Sequence, residues 1–307
     1  MSLTTNLELQ KEARRGKYAV GAFNTSNLEI TQAILEAASQ SRSPVIVATS
    51  QSAIKYAGMV ALSNMVRTLA RPLPVPVSLH LDHGTDYDII IGCLRHGWTS
   101  VMIDGSHAPL EENVAITGEI VKVAHAAGVS VEAELGRLMG VEDQISVGEK
   151  DAFMTDPEEA VRFVSETGCD TLAVAIGTSH GAYKFKGEPR LDFDRLKIIA
   201  QKVEAPLVLH GASSVRPDIV EKGTRYGAKL PGAAGVPEEH IKKAISLGIT
   251  KVNIDTDLRL AFTAWTREIL AEQPEVFDPR KILAAGRQGI KEVVAAKLEL
   301  LGSAGKA

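Results

Sequence analysis

The chain has 307 residues, 45% of them hydrophobic and 23% charged, with a formal net charge of −4. That is an ordinary soluble globular composition, and the acid excess argues against non-specific nucleic-acid binding, which needs a basic surface. No apolar run reaches membrane-spanning length, and the opening "MSLTTNLELQ" lacks the apolar core of a signal peptide, so a cytoplasmic location without membrane partners is expected. The two cysteines, Cys93 and Cys169, make no disulfide framework and read as small core residues in a reducing compartment.

Short apolar, β-branched runs recur along the chain, beginning with "YAVGAF" at 18–23, "PVIVAT" at 44–49, "VPVSLHL" at 75–81 and "SVMID" at 100–104. They continue with "VSVEAEL" at 129–135, "TLAVAI" at 171–176, "PLVLH" at 206–210 and "TKVNI" at 250–254. Segments of helical period lie between them, such as "LEITQAILEAASQS", "ENVAITGEIVKVAHAAG" and "EEHIKKAISLG". Strand alternating with helix predicts right-handed crossovers and a parallel sheet. A doubly wound open sheet would fit the alternation, but no Gly-rich dinucleotide turn follows the first strand. Eight units in this length predict an α/β fold of the (β/α)8 TIM-barrel type, one domain over residues 1–307. Asp156-Pro157 marks a helix start, with Asp156 as N-cap. Two further helices, "LRLAFTAWTREILAEQ" and "IKEVVAAKLELLG", follow the eighth strand. The Gly-rich stretch 221–237 reads as an insertion between the seventh strand and its helix.

Barrel chemistry gathers at the C-terminal ends of the strands. Those ends carry Asn24, Ser50, Asp82 with His83, Asp104, Glu134, His180, His210, and Asn253 with Asp255. Any one of these groups could be a cap, and for Asn24 or Ser50 alone that reading suffices. The ensemble points to a common mouth. His83, His180 and His210, from three different strands, make a catalytic zinc site in which three imidazoles leave a position open; such a site also accepts cobalt. In "VSLHLDHG" alternation puts His80 and Asp82 on one side and His83 on the other, so a bend at Gly84 is needed to bring His83 to the metal. His80, His96, His125 and His240 read as packing or surface residues. Phosphate-binding turns are expected in "HGASS" after strand seven, with Gly211 and Ser213, and in "NIDTD" after strand eight, with Asn253 and Thr256. "GTSHGAYK" adds Gly181 and Lys184.

The segments "HLDHG", "EAELG", "AIGTSHG", "LVLHGASS" and "VNIDTDLRLAF" together resemble the class II fructose-bisphosphate aldolases, in the branch that includes tagatose-bisphosphate aldolases. The resemblance implies reversible cleavage of fructose 1,6-bisphosphate, or alternatively tagatose 1,6-bisphosphate, to two triose phosphates. It implies His83, His180 and His210 as zinc ligands, with Glu134 and Asp104 at an alternative metal position. Asp82 corresponds to the acid that moves the proton on the aldehyde-derived oxygen. Glu142 corresponds to the loop glutamate at the carbon beside the ketone, and Val141 stands where the family has a second acid. Gly181, Gly211, Ser213, Asn253, Asp255 and Thr256 correspond to positions around the dihydroxyacetone phosphate half. Arg259 and Arg280 correspond to basic positions near the far phosphate, Arg280 reaching over from a neighbouring subunit. A sodium or potassium ion near the phosphate and a homodimer or homotetramer are also implied. Two other classes remain: a metal-dependent barrel hydrolase, though strand one ends in "AFNTSN" without a His-x-His, and a non-catalytic accessory subunit.

Overall fold

The eight apolar runs form eight parallel strands: β1 (Val20–Asn24), β2 (Val45–Ser50), β3 (Val77–Gly84), β4 (Ser100–Ile103), β5 (Ser130–Leu135), β6 (Thr171–Val174), β7 (Leu207–Leu209) and β8 (Ile249–Ile254). Around the closed barrel they run β1-β8-β7-β6-β5-β4-β3-β2, so each strand pairs with its neighbours in the chain. The structure is a computed structural model; it describes residues 3–137, 153–179, 191–230 and 233–307, together with the backbone of 139–142, 145–147 and 180.

Helices follow the strands around the outside: α2 (Leu28–Gln40), α3 (Gln51–Ala57), α4 (Met59–Ala70), α5 (Tyr87–Arg95), α6 (Leu110–Ala126), α7 (Pro157–Thr167), α8 (Phe193–Lys202), α9 (Pro217–Arg225) and α10 (Glu238–Ser246). After β8 come α11 (Thr256–Glu272) and α12 (Pro279–Leu300). Strand residues such as Leu79, Leu81, Val101 and Val131 join Leu62, Ile90 and Ile120 of the helices in one continuous buried apolar cluster. Each such side chain contributes about 1.5–3 kcal/mol. The helices start where their caps dictate. Asp156 accepts from the amides of Glu158 and Glu159 with Pro157 in the first turn, and Asn27, Asp86 and Asp192 cap in the same manner.

Three features differ from the sequence reading. A helix α1 (Asn6–Gly16), opened by a Thr5–Glu8 capping box, precedes β1 and packs against β1, β3, β5 and β8. Its Leu9 and Ala13 join Tyr18, Val20, Ala22 and Ile46 in a second apolar cluster, and Gln10 accepts from the Thr250 hydroxyl at 2.9 Å. Residues 221–225, expected in a Gly-rich insertion, are instead the end of α9, which Pro217 starts. Finally, residues 139–142, 145–147 and 179–180 form a three-stranded sheet outside the barrel, whose strands are too short to stand out as apolar runs.

Both cysteines are free and buried, and burial pushes each thiol up to about 12. At pH 8 the thiolate fraction is then on the order of one in ten thousand. Neither thiol is expected to react with an aromatic disulfide reagent until denaturant is added, when both react. A thiol that titrates rapidly in the native protein contradicts this burial.

Candidate active site and metal centre

Three strands each send two polar residues, two positions apart, to the barrel interior. They are His80 and Asp82 on β3, Glu132 and Glu134 on β5, and Lys251 and Asn253 on β8. All six are buried. Period-two alternation stacks them in layers, the general rule for inward-pointing residues of such barrels.

The lower layer is a Lys251–Glu132 ion pair with His80 beside it. The Lys251 ammonium donates to both Glu132 oxygens, at 2.7 and 2.8 Å, and lies 3.3 Å from His80 Nε2. Burial, with the Lys251 charge, pushes His80 down to about 3, so the ring is neutral. A neutral ring that accepts from Lys251 at Nε2 carries its proton on Nδ1, which faces the Ser100 hydroxyl at 3.0 Å. His80 is therefore a barrel-core hydrogen-bonding residue. Burial alone would raise the Glu132 carboxyl, but Lys251 and the hydrogen bond from His210 hold it well below the usual carboxylate range.

In the upper layer the Asp82 carboxylate accepts from the Asn24 amide at 2.9 Å and the Asn253 amide at 2.8 Å, one on each oxygen. The side-chain carbonyl oxygens of both asparagines are buried without a hydrogen-bond partner among the described residues. His83 reaches the same mouth by a device that alternation does not show. Between Leu81 and Gly84 the β3–β4 register slips, with Leu81 opposite Val101 but Gly84 opposite Ile103. The extra residue makes a β-bulge, and His83 there has a φ of +47°. The backbone turns at His83 itself, whereas the sequence had suggested Gly84. Gly84 serves close packing instead, since a Cβ there would lie 2.4 Å from the Met102 carbonyl oxygen.

His83 and His210 meet edge to face with ring centroids 4.7 Å apart. His83 Nδ1 faces Asp104 at 2.8 Å and Glu134 at 3.8 Å. His210 Nε2 faces Glu132 at 2.9 Å and its Nδ1 faces Glu134 at 3.2 Å. Burial opposes a charge on His210, yet Glu132 and Glu134 outweigh it and lift the ring to about 9. Burial likewise opposes the Asp104 charge, but bonds from His83 and Ser106 hold it well below the usual range. Ligand atoms of Asp82, His83 and His210, and separately of His83, Asp104 and Glu134, lie within 4.8 Å of one another.

This donor set fits a divalent cation. Asp82, Asp104, Glu132 and Glu134 are each no more than 4% exposed, and Lys251 is the buried ammonium beside them. Such an acid excess is costly in a low-dielectric interior unless a cation balances it. Glu132 on His210 and Asp104 on His83 supply the outer carboxylate that fixes the orientation of a ligating imidazole.

Beside this cluster a cavity of about 270 Å³ opens between β1, β2 and β8, lined by Asn24, Ser50, Ser52, Tyr56, Asp255 and Arg259, among others. Asn24 belongs to both the cavity and the Asp82 clamp. Arg259 pairs with Asp255 at 2.7 Å, and the Ser50 hydroxyl accepts from the Ala53 amide. Gly211 has a φ of +60°, and a Cβ there would lie 2.7 Å from the Ser179 carbonyl oxygen, so only glycine fits that approach. Ser213 is buried two residues further on, and Thr256 opens α11. Arg280 stands apart in the first turn of α12, 89% exposed and paired with Asp278 at 2.8 Å. The backbones of His180 and Glu142 share the small outer sheet, Gly140 pairing with His180. The side chains of His180 and Glu142, and all of Gly181 and Lys184, lie outside the described residues. Glu132 and Lys251 were not singled out as site residues from sequence. The signal available was spacing, because Glu132 stands two residues before Glu134 and so faces the same way.

Residues 4–306 match the model of the family described as class II fructose-bisphosphate aldolase. The chain belongs to this family. A fructose-bisphosphate aldolase of Thermus caldophilus is 57% identical over 305 residues, covering 99% of this chain and all of that one. One from Helicobacter pylori is 49% identical over 300 residues, covering 97% and 98%. Among solved structures, the YdjI aldolase of Escherichia coli K12 matches with a TM-score of 0.80 at 33% identity, over 99% of each chain. Class II aldolases are metal-dependent lyases, in keeping with the carboxylate and imidazole cluster described above.

Proposed function

We propose that this class II aldolase cleaves fructose 1,6-bisphosphate reversibly to dihydroxyacetone phosphate and glyceraldehyde 3-phosphate, with zinc as its ion, held by His83, His180 and His210. The observation that carries the reading is the bulge at His83, which lets adjacent residues take separate tasks. Asp82 is clamped by two amides while His83 turns onto the imidazole and carboxylate cluster. When bound, a divalent ion supplies the Lewis acidity that other aldol enzymes take from a Schiff-base lysine. Lys251 does not suit that second role, being fully buried one layer below the mouth and paired with Glu132.

In this reading Asp82 moves the proton on the hydroxyl of the aldehyde half, and Glu142 moves the one at the carbon beside the ketone. Glu134 and Asp104 hold the imidazoles and offer an alternative ion position. Asn24, Ser50, Gly181, Lys184, Gly211, Ser213, Asn253, Asp255 and Thr256 bind the substrate, with Arg259 and a partner copy's Arg280 at the far phosphate. Cobalt substitutes for zinc, and sodium or potassium sits near the phosphate. The enzyme works as a dimer or tetramer in the cytoplasm; no helix among the described residues is long and apolar enough to cross a membrane.

Both bisphosphates test the reading directly. Purified protein is expected to release triose phosphate and no inorganic phosphate, with a higher kcat/KM for fructose 1,6-bisphosphate than for tagatose 1,6-bisphosphate. Preference for the tagatose isomer would make it a tagatose-bisphosphate aldolase instead. Release of inorganic phosphate would make it a hydrolase, and absence of any turnover would leave an accessory subunit.

A further inference from the structure

The segment after β7 that carries Gly211 and Ser213 is held in an unfavourable shape. Gly211 has a φ of +60° and Val215 a φ of +50°. A β-branched residue in the left-handed region is an outlier that persists only where its surroundings over-determine it. Here the surroundings are a buried ion pair from elements far along the chain. Asp257, in the first turn of α11, accepts from the Ser214 amide at 3.1 Å on Oδ2 and from the Val215 amide at 2.7 Å on Oδ1. The Lys297 ammonium, near the end of α12, lies 3.0 Å from Asp257 Oδ2 and donates to the Ser214 hydroxyl. The two side chains are 1% and 2% exposed, and a single buried charge at either position would be strongly disfavoured without the other.

A carboxylate that takes two successive amides, one of them from the strained Val215, fixes the backbone of this turn. Lys297 fixes the carboxylate. Neither residue lines the cavity at the mouth, and neither belongs to the ion-binding cluster. The proposed aldolase reaction assigns neither a task. Their bonds end on the residues that directly follow Ser213, one of the groups expected to meet a substrate phosphate.

We infer that Asp257 and Lys297 are positioning residues for phosphate recognition, holding the 211–215 turn in its binding shape without touching the substrate. The inference rests on the proposed aldolase reading. It implies that loss of the pair weakens binding of phosphate-bearing ligands much more than it slows a bound substrate.

Lys297→Met and Asp257→Asn test it, with Lys297→Arg as the variant that keeps the charge. Melting curves first show which variants are folded. In a folded Lys297→Met or Asp257→Asn protein, KM for fructose 1,6-bisphosphate and the Kd for inorganic phosphate by calorimetry are expected to rise about tenfold or more, because a turn that recognises phosphate tolerates little displacement. The accompanying change in kcat is expected to be smaller, and Lys297→Arg is expected to recover much of the affinity. A folded variant with a lower Tm but unchanged KM and unchanged phosphate Kd overturns the inference, since the pair would then serve stability alone. Calorimetry needs no turnover, so the two failures are distinct. A wild-type chain that releases no triose phosphate defeats the aldolase reading, whereas one that does, with variants binding phosphate equally well, defeats only this inference.

Discussion

Replacing Asp82 by alanine is expected to lower kcat for fructose 1,6-bisphosphate cleavage ~10²- to 10⁴-fold, the range of a lost general acid–base group. The carboxylate is buried, each oxygen takes one asparagine amide, and the donors come from the neighbouring strands β1 and β8. Hydrogen bonds at both oxygens fix the orientation of the acid before substrate arrives, as general acid–base work requires. The same carboxylate lies within 4.8 Å of ligand atoms on His83 and His210, so it is also a candidate ligand. The ion content of the variant separates the two roles. Retention of one ion per chain with the activity lost is the expected outcome. Loss of the ion would make Asp82 a ligand and return the proton transfer to another group.

The strands were legible in the sequence because each is a brief apolar run bracketed by polar or glycine residues, and alternation with helical segments prescribed parallel closure. The polar ends were legible for the same reason. Once strands are in place, the residues at their C-terminal ends must share one mouth, and Asp82, His83, His210, Asp104 and Glu134 do lie together there. What escaped depended on contacts between distant segments. Glu132 was visible beside Glu134, but its partner Lys251 is 119 residues away, and only the closed barrel shows that the two form an ion pair. Asp257 and Lys297 are hidden for the same reason, since neither has a local pattern. The bulge at His83 escaped because alternation assumes regular pleating, and one extra residue on β3 reverses which way the side chain points. Helix α1 has few apolar residues, and its place against the barrel strands is a consequence of tertiary packing.

An ion held by the buried imidazoles is expected to be indispensable to the lyase reaction. The excess of buried carboxylates and the outer acids on both rings argue that this part of the protein is built around a cation. The most direct measurement is triose phosphate release from fructose 1,6-bisphosphate by one preparation before chelation, after thorough dialysis against a chelator, and after zinc or cobalt is returned, with metal content measured at each stage. The expected result is a fall of ~10²-fold or more on removal, recovery with either ion, and no inactivation by borohydride in the presence of substrate. Full activity in protein shown to be free of metal, or inactivation by borohydride with substrate, would rule out an indispensable ion.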